Sequence, residues 1–296
     1  MLSVLIPVYN YDVRALVTRL HKQLALAAIR FEIICIDDFS DPEMSQINAE
    51  IVQLPHTTYE ISNRNAGCDA TRQTLAIWAN YDWLIFLDAD VMPVSEDFIS
   101  NYLKFTTSEY DAIYGGITYK PEKPESNLML RWEYGNAKEN VPASARNRKP
   151  YKMLVTANFM IRKTIFLKLN SKIEYKGYGY DIYLGALLKS NSFKVFHIDN
   201  EVYHLGLEPN ATYLNKVEEA VDNLLKLNQE GKLKKTENSL LNTFERLKYC
   251  KLNHYVAWTF RRSKKQLTIN LLSARPNITL LQYYKLGYIC EQDLKL

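Results

Sequence analysis

No run in the 296-residue chain approaches the ~18–20 consecutive apolar residues that a bilayer-spanning helix needs, so no helical membrane crossing is expected. The chain opens Met1-Leu2-Ser3 and passes at once into a strand pattern, which leaves nothing to read as a signal peptide. On that expectation Asn210-Ala211-Thr212 and Asn277-Ile278-Thr279 are chance matches to glycan acceptors. Four cysteines (Cys35, Cys68, Cys250, Cys290) are widely scattered with no C-x-x-C pair, the pattern of reduced thiols in a cytosolic compartment. Neither they nor the serines come with a His/Asp arrangement for nucleophilic hydrolysis. No G-x-G-x-x-G follows the first strand and no P-loop occurs, which argues against dinucleotide oxidoreductases and NTPases. Internal repeats and low-complexity tracts are also missing.

What is present is an ordinary globular composition, 47% hydrophobic and 24% charged, with an uneven charge. Residues 231–296 carry 13 Lys/Arg against 4 Asp/Glu, and the first 230 carry 24 against 29. A basic tail with its own partner is one reading of that split. Within it, His254–Ser273 interleaves Tyr255, Trp258, Phe260 and Ile269 with Arg261, Arg262, Lys264 and Lys265. Such a segment suits either a peripheral contact with anionic membrane through 250–290 or a helical pair packed on the preceding domain. Nucleic acid is not expected as a partner, since no recognition module accompanies the charge.

The first half alternates strands and helices. Apolar runs at Ser3–Tyr9, Phe31–Ile36, Thr58–Ser62, Trp83–Leu87 and Asp111–Tyr119 read as strands. Helical spacing marks Val13–Ile29, Pro42–Glu50, Asp69–Asn80 and Glu96–Thr107. This alternation predicts an α/β fold with a mostly parallel central sheet and helices on both faces. Lys120–Pro150 reads as a break with a short helix around Leu128–Lys138. Strand Leu154–Arg162, helix Lys163–Leu169, the Gly-rich turn Lys176–Asp181, helix Ile182–Ser190, strand Lys194–Ile198, segment Val202–His204 and helix Tyr213–Asn228 follow, the last ended by Gly231. The expected division is 1–230 (halves 1–120 and 121–230) and a basic helical region, 231–296.

Asp88-Ala89-Asp90 ends the apolar run Trp83–Leu87. Two carboxylates one residue apart on such a rigid mount are placed to hold Mg²⁺ or Mn²⁺ against a diphosphate. Tyr9, Asp38 and this acidic pair fall at the carboxyl ends of three strands, where open α/β sheets bind ligands.

Taken in order, Ile6-Pro7-Val8-Tyr9-Asn10, Ile36-Asp37-Asp38-Phe39-Ser40-Asp41, Asn65-Ala66-Gly67 with Arg72, and Phe86-Leu87-Asp88-Ala89-Asp90 resemble the successive blocks of family 2 glycosyltransferases. Thr156-Ala157-Asn158, Gly177-Tyr178-Gly179, Val202–Gly206 and Tyr284–Tyr288 resemble that family's later segments, and the likeness is nearest to bacterial members that build cell-surface polysaccharide. The resemblance implies the Rossmann-like GT-A fold with a C-terminal helical appendage, and inverting transfer from a nucleoside-diphosphate sugar, with UDP expected, to a glycan or lipid-linked acceptor. It places the work in the cytoplasm or at the inner face of the cell membrane.

Site roles follow from the same resemblance. Pro7, Val8, Tyr9, Asp38, Asn65, Gly67, Arg72, Asp88 and Ala89 are expected to bind the nucleotide sugar. Tyr9 would stack on the base, and Asp38 would accept the imide N–H of uracil. Asp37 is read as structural and Asp41 as the cap of the following helix. Arg72 would meet a base carbonyl or phosphate. Asp90 would bind the Mn²⁺ or Mg²⁺ directly, Asp88 would reach ribose or metal-bound water, and His204 would add a metal contact. His197 is left in the core. Many relatives carry adjacent Glu-Asp after the Gly-rich turn, where this chain has Tyr180-Asp181. Asp181 is therefore the expected base, with Glu174 as a substitute. The missing acid also leaves open a catalytically weak or inactive nucleotide-binding module.

Overall fold

A computed structural model describes residues 1–173, 177–179, 181–233 and 237–295. Strands β1 (Leu2–Val8), β2 (Phe31–Asp37), β3 (Thr57–Ile61) and β4 (Trp83–Leu87) alternate with helices α1 (Arg14–Leu26), α2 (Pro42–Asn48) and α3 (Cys68–Trp78). Further along come β5 (Val91–Pro93), α4 (Phe98–Leu103), β6 (Ala112–Tyr114), β7 (Ile117–Thr118), α5 (Met129–Tyr134), α6 (Ala143–Arg146), β8 (Asn158–Arg162), α7 (Lys163–Asn170) and α8 (Asp181–Ser190). The order closes with β9 (Val195–His197), β10 (Val202–His204) and four helices: α9 (Asn210–Gln229), α10 (Ser239–Tyr249), α11 (Asn253–Leu271) and α12 (Ile278–Asp293).

Seven strands form the main sheet in the order β3-β2-β1-β4-β8-β6-β9. All run parallel except β8, which is antiparallel to both neighbours. The all-buried run of β1 follows from its place between β2 and β4, covered on both faces. Because side chains alternate, Val4, Ile6, Ile33, Ile85 and Met160 face one core with Leu16, Val17 and Leu20 of α1. Leu5, Ile34, Leu84, Phe86 and Phe159 face the other, with α3, α7 and α8.

Pro7 looks out of place in a central strand, since it cannot donate to a ladder. The register resolves this. Pairing of β1 with β4 stops at Leu5↔Phe86, whereas pairing with β2 continues to Val8↔Asp37. The strands therefore part on the β4 side, where the strand order reverses. Open α/β sheets bind ligands at such a reversal of strand order, and we refer to the parting of β1 from β4 as the crevice.

Three expectations are corrected. The strand expected over Asp111–Tyr119 is two strands, β6 and β7, separated by Gly115 and Gly116; Gly116 has φ +91°. The break expected over Lys120–Pro150 is largely ordered, with α5 running into a π-turn over Gly135–Glu139 and then α6. Asp41 stands at the N-cap of α2, but its side chain makes no capping bond; its carbonyl accepts the Ser45 amide, and Pro42 leaves one fewer amide to satisfy.

The region 231–296 shares its core with α9. Tyr284 and Tyr288 of α12 donate to Glu218 (2.5 Å) and Asp222 (3.1 Å) on α9. A Cβ on Gly287 would come within 2.5 Å of the Phe260 ring, so glycine lets α12 close onto α11. Among the described residues no helix is long and apolar enough to cross a membrane.

Candidate active site

The acidic pair leaves β4 at the edge of the crevice. A second, three-stranded sheet, β5-β10-β7, completes the site. Strand β5 starts directly after Asp90 and pairs antiparallel with β10 in a register that sets His204 opposite Val91. The Asp90 carbonyl also accepts the Leu205 amide at 2.8 Å. His204 is thereby carried to the acidic pair from more than a hundred residues away, its Nε2 3.5 Å from Asp90 Oδ2.

Burial sets the electrostatics. Desolvation first, and then the charge of Asp90 against the opposing pull of Arg72, holds the Asp88 carboxyl above the usual range. Asp90 is raised as well, again chiefly by desolvation. Two carboxylates withdrawn from water in one crevice call for a positive charge. His204 is pushed down to about 4, mainly by burial and next by Arg131, so its imidazole is neutral at working pH. Its Nδ1 is buried and has no hydrogen-bond partner. A neutral imidazole whose Nε2 faces a carboxylate oxygen fits a divalent cation that accepts nitrogen and oxygen donors. Among the described residues no group of three or more His, Cys, Asp or Glu side chains is placed to hold a metal ion.

At the end of β1, Val8 is buried and Tyr9 beyond it is 56% exposed. An exposed ring at a strand end is available for stacking. Asp38 accepts the amides of Ala66 and Gly67, each at 2.7 Å. It thus holds the loop carrying Asn65 and Gly67 against the sheet, and a carboxylate so engaged retains acceptor capacity. Gly67 has φ +90° and caps α3, its carbonyl accepting the Thr71 amide, a conformation that favours glycine. Asp37 is fully buried and accepts from the Ser40 amide, Ser45 and Tyr59. His197 is buried between Arg146 and the Pro150 carbonyl.

Arg72 projects inward from α3. It donates to Asp88 at 2.5 Å and to the Thr156 carbonyl at 3.1 Å, so contact with a ligand would require it to exchange these partners. The pair fixes Asp88 and leaves Asp90, across Ala89, as the acid facing His204.

Asp181, the expected base, opens α8. Its carboxyl is pushed up to about 6, first by desolvation, with Glu139 adding repulsion. The residue is exposed, and water screens part of that effect. Glu174, the substitute base, lies outside the described residues, as do Tyr175, Lys176 and Tyr180.

Sequence reasoning missed a second layer. Glu139, at the end of the π-turn, accepts from Tyr119 (2.5 Å) and Arg131 (2.8 Å). The Arg131 guanidinium lies 5.3 Å from the Tyr119 ring and 5.2 Å from the Tyr213 ring, and Tyr119 also packs on the His204 ring at 5.6 Å. No local motif marks this cluster, because its members come from the residue after β7, from α5, from the π-turn and from α9. Tyr11 is a further neighbour: its hydroxyl is held above the ordinary range by burial and then by the charge of Asp90. Gly206 was part of a quoted motif, and its reason is now visible: a Cβ there would sit 1.9 Å from Asp90 Oδ2. Gly206→Ala is expected to displace the Asp90 carboxylate and cut metal-dependent turnover at least ~10-fold, with a stability cost of about 1–3 kcal/mol from overpacking. Mn²⁺ titration of activity beside a melting curve checks this; unchanged metal dependence would contradict it.

A mostly parallel sheet with an acidic pair at its switch point, a smaller sheet returning a histidine to that pair, and helices on both faces define a GT-A glycosyltransferase fold. The comparisons agree. The model for glycosyl transferase family 2 matches residues 3–169, over half of the chain, and the chain belongs to that family; it is a glycosyltransferase. Among solved structures, it resembles the mannosyltransferase PcManGT from Pyrobaculum calidifontis in complex with GDP-Man and Mn²⁺, with TM-score 0.58 and 12% identity over 99% of this chain and 86% of that one. TarS residues 1–349 from S. aureus gives 0.50 at 15% identity, covering 99% and 91%. Glucosyl-3-phosphoglycerate synthase from Mycobacterium tuberculosis, in complex with Mg²⁺ and UDP, gives 0.52 at 12%, covering 76% and 78%. No curated protein matches the sequence.

Proposed function

We propose that the chain is an inverting, metal-dependent transferase. It moves a sugar from a nucleoside-diphosphate sugar, with UDP the expected nucleotide, to a glycan or lipid-linked acceptor at the cytoplasmic membrane face, in surface polysaccharide synthesis. The observation that carries this reading is the approach of His204 to Asp90 at the β1/β4 crevice. The Mn²⁺ or Mg²⁺ of two structural neighbours supports the same choice of cation.

Asp90 and His204 would hold that cation, with Asp88 beside them fixed by Arg72. When bound, the cation supplies charge stabilisation to the departing diphosphate. Tyr9 offers its ring to the base, Asp38 a carboxylate edge, and Asn65 and Gly67 the loop that Asp38 holds. Pro7, Val8 and Ala89 are the backbone neighbours expected to line the nucleotide sugar between them. Asp181 takes the proton from the acceptor hydroxyl as its oxygen bonds to the anomeric carbon. The bond from that carbon to the diphosphate breaks on the opposite face, and the electron pair leaves with the nucleoside diphosphate.

The lone carboxylate at Asp181 favours one rival, a module that binds nucleotide without turnover. Melting curves with UDP, GDP and their sugars, each with and without Mn²⁺, test the reading. At a hundredfold excess over Kd, binding stabilises by ~2.7 kcal/mol, and a metal-dependent rise with one nucleotide family is expected. If no diphosphate raises the melting temperature, the reading fails. Binding without nucleotide release from any donor would select the module.

A further inference from the structure

The outward side of α11 takes no part in the crevice. Its inward residues Asn253, Ala257, Phe260, Leu267 and Leu271 are buried, and Phe260 meets Tyr284 of α12 edge to face at 5.1 Å. On the opposite side Tyr255, Trp258, Arg262, Lys265 and Ile269 recur at steps of three and four residues, which places them on one helix face, and all are exposed. Tyr255 is 64%, Trp258 44% and Ile269 63% exposed. Tyr249 and Leu252 extend the strip across the α10–α11 corner, also exposed. The Arg262 guanidinium lies 4.3 Å from the Trp258 ring, and Tyr255 stacks on Trp258 from the other side of the helix turn at 5.9 Å. Exposed rings and aliphatic side chains gathered on one helix face mark an interaction site.

Charge identifies the occupant. Residues 246–290 contain no Asp/Glu; Lys248 and Lys264 of that stretch are paired with Asp293 and Glu218, and Lys251, Arg261, Arg262 and Lys265 are exposed. A second copy of this chain docked face to face would set those cations against themselves. Phosphates alone would leave Ile269, Leu252 and the rings unused. A surface with anionic headgroups above an apolar interior uses both sets, rings at headgroup depth and cations on phosphate.

We propose that the outward face of α11, with the α10–α11 corner, docks flat on an anionic lipid bilayer. The face is fixed relative to the catalytic crevice. Asn210, which opens α9 six residues after His204, donates to the carbonyls of Leu272 (3.4 Å) and Ser273 (3.3 Å) at the end of α11. Docking therefore presents the acceptor half at a set height above the membrane. The purpose of the face rests on the proposed membrane-borne acceptor, but its test does not.

Co-sedimentation of the full chain with phosphatidylcholine vesicles, with and without phosphatidylglycerol, reads the contact directly. Binding is expected only with phosphatidylglycerol, weakening as salt rises. Arg262→Gln combined with Lys265→Gln should bind about thirty-fold more weakly. Tyr255→Ser combined with Trp258→Ala should lose the portion that survives high salt. Both pairs should keep the wild-type melting temperature and nucleotide release. Equal binding to neutral vesicles, no binding, unchanged binding by both pairs, self-association through this face, or capture of single-stranded RNA in place of vesicles would each overturn the inference. Vesicle binding without any turnover would leave it standing and overturn the catalytic reading instead.

Discussion

Asp90→Ala is expected to reduce metal-dependent transfer, and donor hydrolysis with it, by about a thousandfold or more. A bound cation acting on a leaving diphosphate is worth several kcal/mol, and each 1.36 kcal/mol is a factor of ten. Asp90 is the acid that faces His204 at 3.5 Å, and Gly206 has no Cβ where one would collide with its carboxylate. Asp88 cannot stand in, because Arg72 holds it at 2.5 Å from the other side. A loss through the metal site has a signature that unfolding lacks. Mn²⁺ with nucleotide should raise the melting temperature of the wild type and leave that of Asp90→Ala where it was, while the two proteins melt alike without metal. Turnover within ten-fold of wild type would remove the metal site from Asp90.

How much of this was legible in the sequence depends on range. Trp83–Leu87 was read residue for residue, because five apolar residues bounded by Asp82 and Asp88 leave a buried strand no other limits. Tyr9, Asp38 and the acidic pair could be placed at strand ends for the same local reason. Strand β5 was missed: three residues carry no period, and it exists only because β10 pairs with it. That pairing brings His204 to Asp90, a contact that sequence alone could reach only through family resemblance. Arg131 and Glu139 were invisible for a related reason, since a π-turn inside a helical pattern leaves no mark in residue spacing.

Asp181→Asn separates base chemistry from donor binding. A general base contributes about 10²–10⁴-fold, so transfer should fall by that much while donor affinity and metal dependence stay near wild type. The pH profile gives an independent readout. With its carboxyl pushed up to about 6, Asp181 must lose a proton to act, and wild-type activity should rise as pH climbs through that value, a limb that the variant lacks. The stability sign is opposite to that of a salt-bridged aspartate. A raised carboxyl binds its proton more tightly folded than unfolded, so ionisation destabilises the fold as pH rises from about 4 toward 6. Asn carries no such charge, and Asp181→Asn should melt no lower than wild type at pH 8, as expected where a site keeps a costly group for function. Transfer preserved in the variant would move the base elsewhere. Transfer lost together with donor binding would make Asp181 a structural residue of the pocket.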